Sequence, residues 1–283
     1  MRILIAGCGY VGTELGRQLA AQGHTVFGLR RNTAQLPPEI EPVIADLAIG
    51  GSLAVVPKSL DYVFYTASAS GYSEPAYRAA YVSGLRNFLG ALYRQTELKR
   101  IFYTSSTGVY DQDDGAWIDE SSPTPSRRFS ARVLLEGELE IRDARIPGTV
   151  VRFSGIYGPG RTRMIDSVVN GTARLDPGPD RYLNHIHRDD CAGALAHLMN
   201  VRNPEPRYLA TDDEPRTRNY LLRWIAAELG LPDPPMQDAG TGEDRPSERG
   251  GNRRYRNARL KASGYVFKYP TFREGYGELI SGA

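Results

Sequence analysis

The chain has 283 residues, 41% hydrophobic and 24% charged, with a formal net charge of +2. That balance belongs to a folded globular protein and excludes disordered, collagen-like and disulfide-scaffold classes, two cysteines (Cys8 and Cys191) being too few for a framework. No run approaches the roughly 18 consecutive apolar residues of a membrane span, and the charge is too small to imply nucleic acid, so the sequence predicts a cytoplasmic protein without a signal peptide, whose partner is a small molecule and neither a membrane nor a nucleic acid.

Arg2 to Ala6 reads as a short aliphatic strand that meets Gly7-Cys8-Gly9-Tyr10-Val11-Gly12. Leu15, Leu19 and Ala20 then recur at helical spacing until Gly23, and Thr25 to Leu29 reads as a second strand. The result is a βαβ unit with G-x-G-x-x-G spacing at Gly7, Gly9 and Gly12. One glycine makes the turn, one lets a pyrophosphate approach the backbone, and one lets the helix pack on the strand. Gly7, Gly9, Tyr10, Val11 and Gly12 are therefore the expected phosphate contacts, at a helix N-terminus whose N–H groups favour an anion.

The end of the second strand separates the two pyridine dinucleotides, because a carboxylate about 20 residues after the glycines would hold the 2'-hydroxyl of NAD. Between Glu14 and Glu39 there is no acidic residue, and the strand ends in Leu29-Arg30-Arg31-Asn32. Guanidinium suits a phosphate by charge and bidentate geometry. NADP is expected over NAD, with Arg30 as first contact and Arg31 as second; the alternative is a solvated pair at a loop end.

After Leu36-Pro37-Pro38, strands are predicted at Pro42 to Leu47 and Tyr62 to Ala67, a long helix from Pro75 to Gln95, and a strand from Arg100 to Ser105. A helix over Arg127 to Ala144 and a strand over Gly148 to Phe153 continue the alternation. This order implies an α/β fold of the Rossmann type, a doubly wound parallel sheet, with ligands outside the carboxyl ends of its strands. The glycine loop, Arg30, Asp46 with Leu47, Ala67, Ser105 and Ser154 fall on that rim, Asp46 where a side chain meets the adenine.

Past Gly155 the pattern changes to Gly-, Pro- and Arg-rich loops, with helices at about Arg188 to Asn200 and Asn219 to Glu228. Asp189 or Asp190 is the expected N-cap of the first. Residues 1–157 and about 188–210 are assigned to the dinucleotide-binding domain, and about 158–187 and 211–283 to a smaller C-terminal substrate lobe. The stretch from Pro232 to Asn252 is expected to be a mobile loop.

Three blocks carry a family resemblance: Thr104-Ser105-Ser106-Thr107-Gly108-Val109-Tyr110, Val151-Arg152-Phe153-Ser154-Gly155-Ile156-Tyr157-Gly158-Pro159-Gly160-Arg161, and Asn184-His185-Ile186-His187-Arg188-Asp189-Asp190. In order and spacing the chain resembles the extended short-chain dehydrogenase/reductases of the NAD-dependent epimerase/dehydratase kind over about residues 1–230. The resemblance implies a Tyr-x-x-x-Lys pair on the helix after the serine block. Counting back from Glu136 places Arg132 at the lysine and Arg128 at the tyrosine, with Phe129 as the nearest aromatic residue. Arginine can hold a ribose or an anion but cannot exchange a proton near neutrality, so Arg132 is expected to bind the cofactor ribose.

By the same resemblance Ser106 stands at the family's catalytic hydroxyl, the alternative being a serine that caps a turn. Thr107 and Gly108 replace the acidic pair of the dehydratases, which speaks against dehydration of a nucleotide sugar. Tyr103, Tyr110 and Tyr157 are the candidate substitute phenols. His185 and His187 point to opposite faces if extended, which disfavours a shared metal. Asp111, Asp113 and Asp114 read as a solvated turn. Arg128 and Arg132 stand one helical turn apart, with Glu136 able to relieve Arg132, and with Arg161, Arg253 and Arg254 they form a candidate site for a phosphorylated or nucleotide-linked ligand. Two functions follow: an NADP-dependent oxidoreductase or epimerase acting on a nucleotide sugar or related carbonyl or hydroxyl compound, or an NADP-binding protein that has lost catalysis. The long helices are candidate faces of a homodimer.

Overall fold

The computed structural model describes residues 1–125, 127–237 and 251–282. Most of the segment expected to be a mobile loop lies outside the described residues. In chain order the strands are β1 (Arg2–Ala6), β2 (Thr25–Arg30), β3 (Glu41–Ile44), β4 (Tyr62–Tyr65), β5 (Arg100–Ser106), β6 (Trp117–Ile118), β7 (Gly148–Phe153), β8 (Gly155–Tyr157), β9 (Tyr182–Leu183), β10 (His185–His187), β11 (Arg207–Ala210), β12 (Arg216–Thr217) and β13 (Arg254–Tyr255). The helices are α1 (Tyr10–Ala21), α2 (Glu74–Arg78), α3 (Gly84–Leu92), α4 (Phe129–Arg142), α5 (Arg163–Val169), α6 (Arg188–Asn200), α7 (Arg218–Glu228), α8 (Ala258–Ala262) and α9 (Phe272–Ser281).

Seven strands form one sheet in the order β11-β7-β5-β4-β1-β2-β3, and every pairing in it is parallel. Ile3 to Ala6 are wholly buried, as expected of a central parallel strand covered on both faces. Ile3 and Ile5 pack with Leu15, Leu19 and Leu195 from α1 and α6 on one face. Leu4 and Ala6 join Leu85, Phe88, Leu89 and Ile141 from α3 and α4 on the other. At one edge Pro42 is exposed on β3, where the missing N–H costs no ladder bond. The order in which strands are added reverses between β1 and β4, a topological switch point whose crevice opens at the carboxyl ends of both strands.

A separate core of Tyr157, Ile165, Val168, Leu221, Leu222, Ile225, Phe272 and Tyr276 joins α5, α7 and α9 beside the sheet. Two local features depart from the sequence expectation. The long helix runs from Glu74 to Leu92 with a π-helical turn at Ala79–Ser83 in its middle, and such bulges frequently accompany functional sites. The cap of α6 is His187, whose ring Nδ1 accepts the Asp189 N–H at 3.2 Å. Asp190 is instead a buried anchor: its carboxylate accepts the Tyr265 hydroxyl and the N–H groups of Lys268 and Tyr269.

Candidate active site

A cleft of about 210 Å³ opens at the switch point, lined by residues of the glycine loop, of the strand ends β4, β5 and β7, and by Arg161. A wider hollow of about 810 Å³, lined by Gly50, Lys58, Arg86, Asn87 and Arg94 among others, contains none of these residues.

Each glycine of the loop has a separate structural task. Gly7 adopts φ +79° and a Cβ there would fall 2.4 Å from the Ala67 backbone, so the loop after β1 is pressed onto the end of β4. At Gly12 a Cβ would meet Thr66 Oγ1 at 2.7 Å and Ile5 Cγ2 at 2.9 Å, which fixes helix against strand. Gly9 is different: its nearest neighbour would be the Gly7 carbonyl at 3.7 Å, so a side chain there fits the fold but occupies space beside the helix start. No side chain caps α1, and Gly9, Tyr10 and Val11 line the cleft. Ser154 also lines it, and its buried hydroxyl has no partner among the described residues. Uncapped helix N–H groups, a glycine that leaves room and a waiting hydroxyl together fit a pyridine dinucleotide.

Arg30 ends β2 and turns back to the loop, its Nη1 donating to the Cys8 carbonyl at 3.3 Å. Arg31 is exposed. Asp46 and Leu47 follow β3. Asp46 holds its own turn, its Oδ1 accepting the Ala48 N–H, while the Leu47 carbonyl accepts the Asn87 amide. These four residues stand at the strand ends outside the cleft.

On the other side, Ser106 ends β5 and its Oγ accepts the Gly108 N–H at 3.0 Å, capping a single 3-10 turn. Capping uses a lone pair and leaves the hydroxyl proton free to donate into the cleft that Ser106 lines. Ser105 also lines the cleft, but its hydroxyl donates to Glu138 at 2.7 Å and faces inward.

The register of α4 corrects the expectation for Arg132. Of the three glutamates on this helix, Glu138 turns inward to Arg152, while Glu136 and Glu140 face outward, Glu136 accepting from Arg78 and Arg86 rather than relieving Arg132 and Glu140 from Arg86. Arg132 is exposed, donates to the Arg127 carbonyl, and is not among the residues of the cleft. Counted from Glu138, the positions four and eight residues back are Leu134, which does line the cleft, and Ser130. An apolar side chain thus stands where an ammonium would be needed. Arg128 caps no helix bond; it pairs with Asp111 and donates to the Gly108 and Tyr110 carbonyls.

None of the three phenols singled out in the sequence lines the cleft. Tyr103 is wholly buried, Tyr110 accepts from Arg152 and donates to the Asp119 carbonyl, and Tyr157 stacks on Tyr276 at 4.3 Å in the second core. The phenols that do line it are Tyr10 and Tyr81. Tyr81 sits on the π-helical turn; burial pushes its phenol up from the ordinary value, against a lowering contribution from the Ala69 N–H it accepts. In the sequence Tyr81 reads only as one more apolar repeat of a helix, and the bulge that turns it to the cleft has no sequence signal.

The arginines expected to gather around an anion are dispersed. Arg253 donates to the Tyr255 hydroxyl and the Gln112 carbonyl, Arg254 to the Gly115 carbonyl, and Arg161 alone of the five lines the cleft. Asp113 pairs with Arg181 and accepts the Asn252 N–H, so the acidic turn is bonded rather than merely solvated. His185 and His187 both present to the Tyr157 ring, at 5.9 and 5.2 Å, and among the described residues no cluster of His, Cys, Asp and Glu could hold a metal ion.

The model of the NAD dependent epimerase/dehydratase family matches residues 3–207. The chain belongs to that family. A solved structure from Methylobacillus flagellatus, assigned to the NAD-dependent epimerase/dehydratases, is 38% identical, with a TM-score of 0.80 over 99% of this chain and 98% of that one. The 3-diazoavenalumate denitrifying reductase of a Streptomyces species is 27% identical over 256 residues, covering 83% of each chain. Human SDR39U1, solved with NADPH, has a TM-score of 0.80 at 21% identity over the whole of both chains, a likeness that shows the fold alone. Membership carries an NAD(P)-dependent oxidoreductase or epimerase-like role. No helix among the described residues is long and apolar enough to cross a membrane.

Proposed function

We propose that this protein is an NADP-dependent reductase of a small carbonyl compound, free or nucleotide-linked. The observation that carries the reading is the set of side chains in the cleft: hydroxyls, Ser106 and Tyr81 among them, and among the described lining residues no carboxylate, imidazole or lysine. A phenol that rests protonated is the acid that carbonyl reduction needs, and the phenolate it becomes takes a proton back from water to close the cycle.

The glycine loop and the start of α1 would seat the diphosphate, and Ser154 offers its unpartnered hydroxyl to the same cleft. Arg30 supports NADP, standing where a carboxylate would hold the ribose of NAD. When bound, the dinucleotide supplies hydride. Ser106 orients the carbonyl oxygen by donating to it, its own lone pair being used by the Gly108 N–H. Tyr81, kept protonated by its burial, supplies the proton at that oxygen. Leu134 and Phe153 add apolar surface to the lining of the cleft.

The test is NADPH oxidation against a panel of aldehydes, diketones and nucleotide sugars. Turnover with one class is expected, falling about 10²- to 10⁴-fold in Tyr81→Phe. Leu134 at the lysine position favours a second reading, a dinucleotide-binding protein without catalysis. NADPH binding with no turnover across the panel would establish that reading and overturn the first.

A further inference from the structure

Two guanidinium groups lie over the ring of Tyr10, the first residue of α1: Arg161 at 4.1 Å and Arg188 at 5.4 Å from its centroid. They differ electrically. Arg188 is paired with Asp189 at 2.9 Å and with Glu14 at 3.5 Å. Among the described residues Arg161 makes no ion pair and is the single charged side chain lining the cleft. A cation placed at the positive end of a helix dipole, with no carboxylate in the same lining, is an unfavourable arrangement unless an anion joins it.

The loop that carries Arg161 is held in place rather than loose. The Arg161 N–H donates to the Gly158 carbonyl at 2.8 Å, with Gly158 at φ +142° and Gly160 at φ +76°. The Tyr10 hydroxyl donates to the Pro159 carbonyl at 3.0 Å, tying this loop directly to the start of α1. Ser154, just ahead of the loop, supplies the independent sign of a ligand, a hydroxyl 6% exposed and without a partner in the same cleft.

We propose that Arg161 is a diphosphate-binding residue, reaching from the loop after β8 to close over the phosphates that the glycine loop and α1 hold from beneath. The inference rests on the dinucleotide reading of the cleft and adds a second arginine with a different task. Arg30 reads the 2'-phosphate, which only NADP carries; Arg161 reads the diphosphate, which NADP and NAD share.

The test is a fluorescence titration of the full chain with NADPH and with NADH for wild type, Arg161→Met, Arg161→Lys and Arg30→Met, each checked for folding by circular dichroism. Methionine keeps an apolar stem against Tyr10 and removes the charge. Arg161→Met is expected to weaken both nucleotides by a similar factor, about 10- to 100-fold, the size of a lost charge-assisted hydrogen bond. Arg161→Lys should recover part of the loss, which also serves if the methionine variant folds poorly, and Arg30→Met should weaken NADPH alone. Affinities in Arg161→Met within twofold of wild type, or a loss confined to NADPH, would overturn the assignment. Wild type binding neither nucleotide would overturn the cofactor reading itself, and this inference with it.

Discussion

Glu138 and Arg152 meet through two hydrogen bonds, Nε to Oε1 at 2.8 Å and Nη2 to Oε2 at 2.6 Å, with 4% and 1% of their surfaces exposed. The pair bolts α4 to β7, and Ser105 completes it by donating to the same Oε1. It thereby fixes which face of α4 looks into the cleft. Removing one partner leaves a buried charge without compensation, so Arg152→Met is expected to cost about 3–5 kcal/mol of stability. Chemical denaturation measures it; a loss under about 1 kcal/mol, the range of exposed pairs, would contradict a buried role.

The three glycines of the loop should fail in different ways. Gly7→Ala places a Cβ at positive φ and 2.4 Å from the Ala67 backbone, so a lowered Tm is expected. For Gly9→Val the added Cβ meets nothing closer than ordinary contact within the fold, and the backbone φ is −104°. Its Tm should stay near wild type while dinucleotide binding is lost. If Gly9→Val binds NADPH normally, no diphosphate approaches the backbone there.

The His187 ring is 3% exposed, packed between Tyr157 and Tyr269, and burial lowers it from 6.5 to about 4. Because the folded value lies below the unfolded one, the unfolded chain binds more protons between pH 6.5 and about 4. The stability from keeping this imidazole neutral is present above pH 6.5 and lost as pH falls towards 4. The difference in unfolding free energy between wild type and His187→Gln should therefore shrink from pH 7 to pH 5. A constant difference over that range would mean the ring is not held neutral by the fold.

The glycine loop and the sheet behind it were legible because their signals are local. The glycine spacing and the aliphatic run of β1 are features of neighbouring residues whose geometry follows from backbone sterics. The chemistry half depends on which side of a helix faces inward, and glutamates spaced two residues apart, Glu136, Glu138 and Glu140, allow more than one register. Only the contact with Arg152 from a distant strand chooses between them, exchanging Arg132 for Leu134 at the cleft. Tyr81 was hidden for a similar reason, since a periodic apolar pattern does not show that a π-helical turn will redirect one member of it.

Substitution of Ser106 tests its division of labour. Ser106→Ala removes both the cap to Gly108 and the proton offered to a carbonyl. Ser106→Thr retains both. Turnover is expected to fall in the alanine variant and to persist in the threonine variant, with NADPH affinity unchanged in each. Turnover in Ser106→Ala equal to wild type would mean that the hydroxyl serves the turn alone.

The central claim is that the cleft seats a pyridine dinucleotide whose 2'-phosphate meets Arg30. Titration of the wild-type protein with NADPH and NADH under the same salt conditions tests it most directly. NADPH is expected to bind at least about tenfold more tightly, the worth of one charge-assisted contact. Tighter binding of NADH, or saturable binding of neither, would contradict it.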